Sequence, residues 1–179
     1  EVDLGRFDGL RKNLGQHIES GLLRVYNRSH AEALSEIQQA IADAPAVVFL
    51  DPQTAAQMTL DRDIKPWSTR KRTDILGVFM ASQACRISAS ALSAHAERAA
   101  TEAVLGTRWP EATTEQTAVE IFFEQIRPLK KFAGLYLLRK VEPERSAYAI
   151  FGLSDSAHGY RLLSDAVAKD AQNLKVADE

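Results

Sequence analysis

Ala46-Val-Val-Phe-Leu-Asp51-Pro52 is a short apolar run that stops at a carboxylate and a proline. Val47 to Leu50 are all apolar, the pattern of a strand buried on both faces, as in a parallel sheet with helices above and below. Asp51 then falls at the strand's carboxyl edge. In open α/β sheets ligands bind at that edge, because side chains leaving the sheet point into a crevice flanked by helix N-termini. Asp51 is therefore a candidate functional acid, and equally a candidate cap for a helix whose first turn begins at Pro52.

Upstream, apolar residues recur from Phe7 at Leu10, Leu14 and Ile18, which predicts one helix of about three turns ended by Gly21. Leu22-Leu-Arg-Val-Tyr26 reads as a strand. Ser29 followed at three residues by Glu32 is a capping box, opening a helix with Leu34, Ile37 and Ile41 on one face. Asp43-Ala-Pro45 closes it. The order helix, strand, helix, strand with short connections predicts a parallel, right-handed arrangement.

Downstream, Gln53 to Leu60 predicts a short helix, and Asp61 to Thr73 a polar loop carrying Lys65, Arg70, Lys71 and Arg72. Those four cations are candidate phosphate contacts, or else a solvated surface. Trp67 beside Pro66 packs the loop down or offers a stacking platform. Asp74 to Met80 is a second buried strand, and Gly77 inside it marks the close approach of another group. An alanine-rich helix is predicted over Ser88 to Leu105, and another from Thr114 that Pro128 must kink or end. Arg127, Lys130 and Lys131 form a second basic cluster. Leu135 to Val141 and Ala147 to Leu153 flank Glu142-Pro-Glu-Arg-Ser146, the pattern of an antiparallel hairpin, and a last helix follows from Gly159 to Leu174. The expected fold is thus α/β, with parallel strands first and a hairpin at one edge, in a single domain over residues 1–179.

Composition narrows the chemistry. The formal charge of -2 over 179 residues gives no global electrostatic signature, so nucleic acid would have to be met by a local patch. Cys85 is the single cysteine, which excludes an intramolecular disulfide framework and fits a reducing, cytoplasmic location. His17, His30, His95 and His158 share no ligand spacing with each other or with Cys85, so no metal is expected. No apolar stretch is long enough to span a bilayer. No Gly-x-Ser-x-Gly elbow, phosphate-binding loop or dinucleotide fingerprint is present either. The chain begins at Glu1 rather than Met, so a first strand and glycine-rich turn are expected to lie ahead of it if they exist. Glu1 or Asp3 would then end a strand where an acid takes ribose hydroxyls, or Asp3 would cap the helix that follows.

Several of these segments together resemble the three-Cys-motif partner proteins, a group of S-adenosylmethionine-dependent methyltransferases of the class I kind. The resemblance rests on the acidic strand end before Arg6-Phe-Asp-Gly-Leu10, on Val48-Phe-Leu-Asp51-Pro52, on Pro66-Trp67 ahead of Thr73-Asp-Ile-Leu76, and on Phe151-Gly-Leu-Ser-Asp-Ser-Ala-His-Gly159. It implies a Rossmann-like three-layer sandwich with a mostly parallel sheet and a C-terminal antiparallel hairpin, lacking its first strand and glycine-rich loop. It further implies S-adenosylmethionine as cofactor, Glu1 and Asp3 as cofactor ligands, and Asp51 and Pro52 as the start of a catalytic loop. That loop would align the target amino group with the methyl donor, acting on DNA or RNA. Gln53-Thr54 stands where an aromatic would stack on a flipped base. With the glycine-rich turn absent, two readings follow: a methyltransferase acting on nucleic acid, or a noncatalytic module of the same scaffold that binds a protein or nucleic-acid partner. A homodimer completing the sheet is a further expectation.

Overall fold

The computed structural model describes residues 4–21, 23–52, 57–89, 99, 102, 114–138 and 148–165. Contacts gather the chain into two compact units, 1–42 and 43–179.

In the first unit, α1 (Leu4–Asn13) and α2 (Gly15–Glu19) replace the single helix expected from the stripe Leu10, Leu14, Ile18. The break falls at Leu14, next to Gly15, whose backbone freedom makes it a poor residue for carrying a helix through. Gly21, at φ 74°, lies in the left-handed region that ends helices, and its N–H bonds to Ile18 O at 3.0 Å. The strand expected over Leu22 to Tyr26 does not form in its described part. Leu23 N–H bonds back to His17 O at 3.1 Å instead of to a neighbouring strand, and residues 23–26 have no regular structure. The capping box is present as read, with Ser29 N–H donating to Glu32 Oε2 at 2.8 Å at the head of α3 (His30–Ile41). These bonds from Ser29, its hydroxyl first and its backbone N–H next, hold the Glu32 carboxyl below its usual range.

The second unit is built on a four-stranded mixed sheet in the order β1-β2-β4-β3, from β1 (Ala46–Leu50), β2 (Thr73–Phe79), β3 (Phe132–Leu138) and β4 (Tyr148–Ser154). Only β1 and β2 are parallel; β2 with β4 and β4 with β3 are antiparallel. The sheet is α/β in class, yet its parallel content is one pair of three, which corrects the expected mostly parallel arrangement. The reason is the hairpin: it folds back against β2 instead of adding at a distance, so β4 takes the place beside β2.

β1 is also an outer strand rather than a central one. Leu50 is buried, but Val47 is 69% and Phe49 59% exposed, so the expectation of burial on both faces is corrected as well. Four apolar residues in a row do not distinguish a two-sided strand from one with an open face.

Between β1 and β2 the predicted polar loop is mostly helical. A π-helix (Leu60–Ile64) runs into the one-turn α4 (Lys65–Ser68), with Trp67 buried as a packing residue. Asp63, itself buried, accepts from Thr59 N–H at 2.7 Å and from Arg62 at 2.8 Å, tying off the start of the π-helix. Segment 53–56, with Gln53 and Thr54, lies outside the described residues.

α5 (Ala81–Ala89) starts directly after β2, and α6 (Glu115–Ile126) is capped by Thr114, whose Oγ1 accepts from Thr117 N–H at 3.1 Å. Most of the predicted Ser88–Leu105 helix lies outside the described residues. A 3-10 turn (Arg127–Leu129) containing Pro128 closes α6, as expected. The core lies between α5, α6 and one sheet face. There Phe122 stacks on Phe79 with centroids 4.3 Å apart and meets Phe151 edge-on at 5.2 Å. The last helix, α7 (157–165), lies on the opposite face over β3 and β4: a Cβ on Gly134 would meet Tyr160, and one on Gly152 would meet Leu163. Its predicted continuation to Leu174 and the hairpin loop 142–146 are outside the described residues.

Candidate functional site

Strand direction gives the sheet two ends with different chemistry. β1, β2 and β3 all run from one end, here the amino pole, to the other, here the carboxyl edge.

At the carboxyl edge, the register pairs Leu50 with Gly77, so Asp51 emerges beside the last residues of β2. Asp51 is exposed and Pro52 half-buried. β1 is outermost, so Asp51 leaves the rim of the sheet rather than its centre. Close by in the sequence of elements, the first turns of α5 and α6 meet: Ser82 Oγ donates to Glu115 Oε1. Burial, and then the negative charge of Glu115, push the Cys85 thiol up to about 11, so it stays protonated and a poor nucleophile. The polar groups of these two helix starts are therefore spent on each other. Neither Ser82 nor Glu115 could be singled out from sequence, because 33 positions separate them and no motif links them.

The proposed cofactor ligands Glu1 and Asp3 lie outside the described residues. Among the described residues, no group of three or more His, Cys, Asp or Glu side chains could hold a metal ion, and no helix is long and apolar enough to cross a membrane.

Three of the four cations read as phosphate contacts are not where Asp51 is. Arg70, Lys71 and Arg72 precede Thr73, the first residue of β2, so they stand at the amino pole, with the length of β1 between them and Asp51. That is roughly 17 Å for a strand of this length. They also divide by availability. Lys65 pairs with Asp61, and Arg70 donates to Thr73 Oγ1 and to Ala44 O, both at 2.6 Å, which fixes the lead into β1. Lys71 and Arg72 are exposed. Arg72 has φ 55°, a left-handed conformation uncommon for a residue with a side chain, while its carbonyl accepts from Ala46 N–H at 3.0 Å.

The second basic cluster arrives at the same pole, since β3 starts at Phe132 and runs parallel to β2 with β4 between them. Lys130 is the joint. Its side chain is 1% exposed, and Nζ donates to Arg70 O at 2.8 Å and to Asp155 Oδ2 at 2.5 Å. Lys131 is exposed, with Nζ 5.5 Å from the centroid of Phe132, and Phe132 stacks on Tyr160 at 6.0 Å. Arg127 is held by Glu124 at 3.5 Å.

Between the two basic segments sits a polar knot. The fully buried Ser154 donates from Oγ to Asp74 Oδ1 at 2.6 Å and accepts from Ser156 N–H at 3.0 Å. A Cβ on Gly159 would lie 2.6 Å from Asp74 Oδ2 and 2.9 Å from Ser154 Oγ, so glycine there lets the start of α7 close onto β2 and β4. This gives the His158-Gly159 step a packing reason.

No protein-family model, curated protein or solved structure matches this chain.

Proposed function

We propose that this chain is a noncatalytic α/β module that binds a macromolecular partner, rather than an enzyme turning over S-adenosylmethionine. The observation that carries the reading is the state of the carboxyl edge. Asp51 is exposed at the end of an outer strand, and Ser82 donates to Glu115 while burial and the Glu115 charge keep the Cys85 thiol protonated, so among the described residues no acid, base or nucleophile is held in a desolvated cleft there.

Isothermal titration with S-adenosylmethionine tests it. The folded protein is expected to give no binding heat, and a dissociation constant below about 100 μM would overturn the reading.

Methyl transfer to nucleic acid is the second reading, on a Rossmann-like three-layer scaffold. What favours it is that Asp51 follows a strand parallel to its neighbour and reaches solvent at the edge where ligands of open α/β sheets sit. On that reading Asp51→Ala abolishes transfer while the melting temperature stays put. On the reading preferred here, the same substitution changes no activity.

A further inference from the structure

We propose that the amino pole of the sheet is a composite phosphate-binding surface for single-stranded nucleic acid, formed by Lys71 and Arg72 from one segment and Lys131 from another. The inference rests on the interaction-module reading and names its partner class.

Three observations carry it. First, the two basic segments are far apart in the sequence yet are fastened together by one buried side chain, Lys130, through the 2.8 Å bond to Arg70 O. Lys130 and Arg70 are held by internal partners and Lys65 pairs with Asp61 at the surface, and that leaves Lys71, Arg72 and Lys131 directed to solvent from one end of the sheet. Secondly, β2 and β3 are separated by one strand, so the two groups of cations stand about 10 Å apart across the sheet. An extended nucleic-acid strand places successive phosphates within that span, whereas a single small anion would touch one group only. Thirdly, Arg72 keeps a left-handed backbone that a residue with a side chain adopts at a cost and that glycine would adopt without strain. The guanidinium is what arginine adds at that position.

The acids of the pole do not cancel the patch. Asp155 is committed to Lys130 and Asp74 to Ser154 beneath the start of α7, and Asp43, exposed just ahead of β1, is one negative charge against three positive ones. Beside the cations, the half-buried Phe132 ring has the Lys131 ammonium 5.5 Å from its centroid, so an unpaired base that displaces the ammonium towards its own phosphate can stack on that face, which favours a single strand over a duplex or an acidic polypeptide.

The test is fluorescence anisotropy of a labelled single-stranded oligonucleotide at a series of salt concentrations. The wild-type chain is expected to bind, with log K falling against log salt at a slope near -2, about 0.7 for each of three phosphates. Lys71→Ala, Lys131→Ala and Arg72→Gly, the last chosen because glycine accepts the positive φ, should each weaken binding roughly threefold to tenfold and flatten the slope by about 0.7. Lys65→Ala should change nothing. Absence of binding at low salt, variants that bind like wild type, polyglutamate competing as well as the oligonucleotide at equal charge, or a duplex bound as tightly as the single strand would each overturn the proposal. Because no cofactor is involved, this outcome and that of the S-adenosylmethionine titration are read separately.

Discussion

Gly77 and Phe151 are cross-strand partners in β2 and β4, and the ring of Phe151 occupies the space that a side chain on Gly77 would need. The glycine expected to mark a close approach does so, but what approaches is an aromatic side chain of the core, itself packed against Phe122. Gly77→Ala should therefore destabilise the second unit by about 1–3 kcal/mol through overpacking, measured by urea denaturation. Phe151→Leu made in the Gly77→Ala background should cost less than Phe151→Leu alone. Additive losses would show that the two positions do not share one space.

Lys130→Met keeps the apolar stem but removes the ammonium that satisfies Arg70 O and Asp155. Leaving the carbonyl without its donor should cost about 1–3 kcal/mol. Asp155→Asn should cost less, since the amide oxygen still accepts from Lys130 Nζ and the bond to Arg70 O is kept. Equal losses in the two variants would contradict the assignment of Lys130 as the joint between the basic segments.

Cys85 should react slowly with an alkylating reagent at pH 8 in the folded chain and rapidly in urea. Glu115→Gln should speed the folded reaction only in part, because burial is the larger cause of the raised thiol pKa and the Glu115 charge the smaller. The sign for stability follows. The folded thiol holds its proton to about 11 against 9.0 for an unperturbed one, so this group contributes nothing below pH 9 and destabilises the fold as pH rises from 9 towards 11. Cys85→Ala should remove that alkaline loss.

Glu32 has its folded pKa lowered from 4.5, so its contribution to α3 is complete above that pH and is lost as pH falls through the lowered value. Ser29→Ala removes the hydroxyl that is the largest cause. Carboxyl chemical shifts followed by NMR should then place the Glu32 midpoint closer to 4.5, and an unchanged midpoint would contradict the capping box as its origin.

Local chemistry was the part most legible from the sequence. The Ser29–Glu32 capping box, the strand at 46–50, the strand into Phe79, the stop at Pro128 and the antiparallel pairing of the last two strands all depend on residues near one another in the chain. Position within the sheet does not. Val47 and Phe49 read as core residues because periodicity reports apolarity, and only the strand order reveals that β1 is outermost. Likewise the cations at 70–72 follow Asp51 in the sequence but stand at the opposite end of the sheet. The short π-helix and α4 return the chain to the other end before β2 begins, a turn of path that composition cannot report. The convergence of residues 70–72 with 130–131 was hidden for the same reason, since it follows from β2 and β3 running in one direction on either side of β4. The Ser82–Glu115 bond is similarly a product of helix packing, with nothing local to announce it.

Amide hydrogen exchange of the chain with and without a saturating single-stranded oligonucleotide tests the assignment of function to the two ends of the sheet most directly. The account predicts slowed exchange confined to peptides carrying residues 69–72 and 130–132, with the peptide spanning Leu50 to Pro52 unchanged. Slowed exchange at Leu50 and Asp51 with none at Lys71, Arg72 and Lys131 would contradict it.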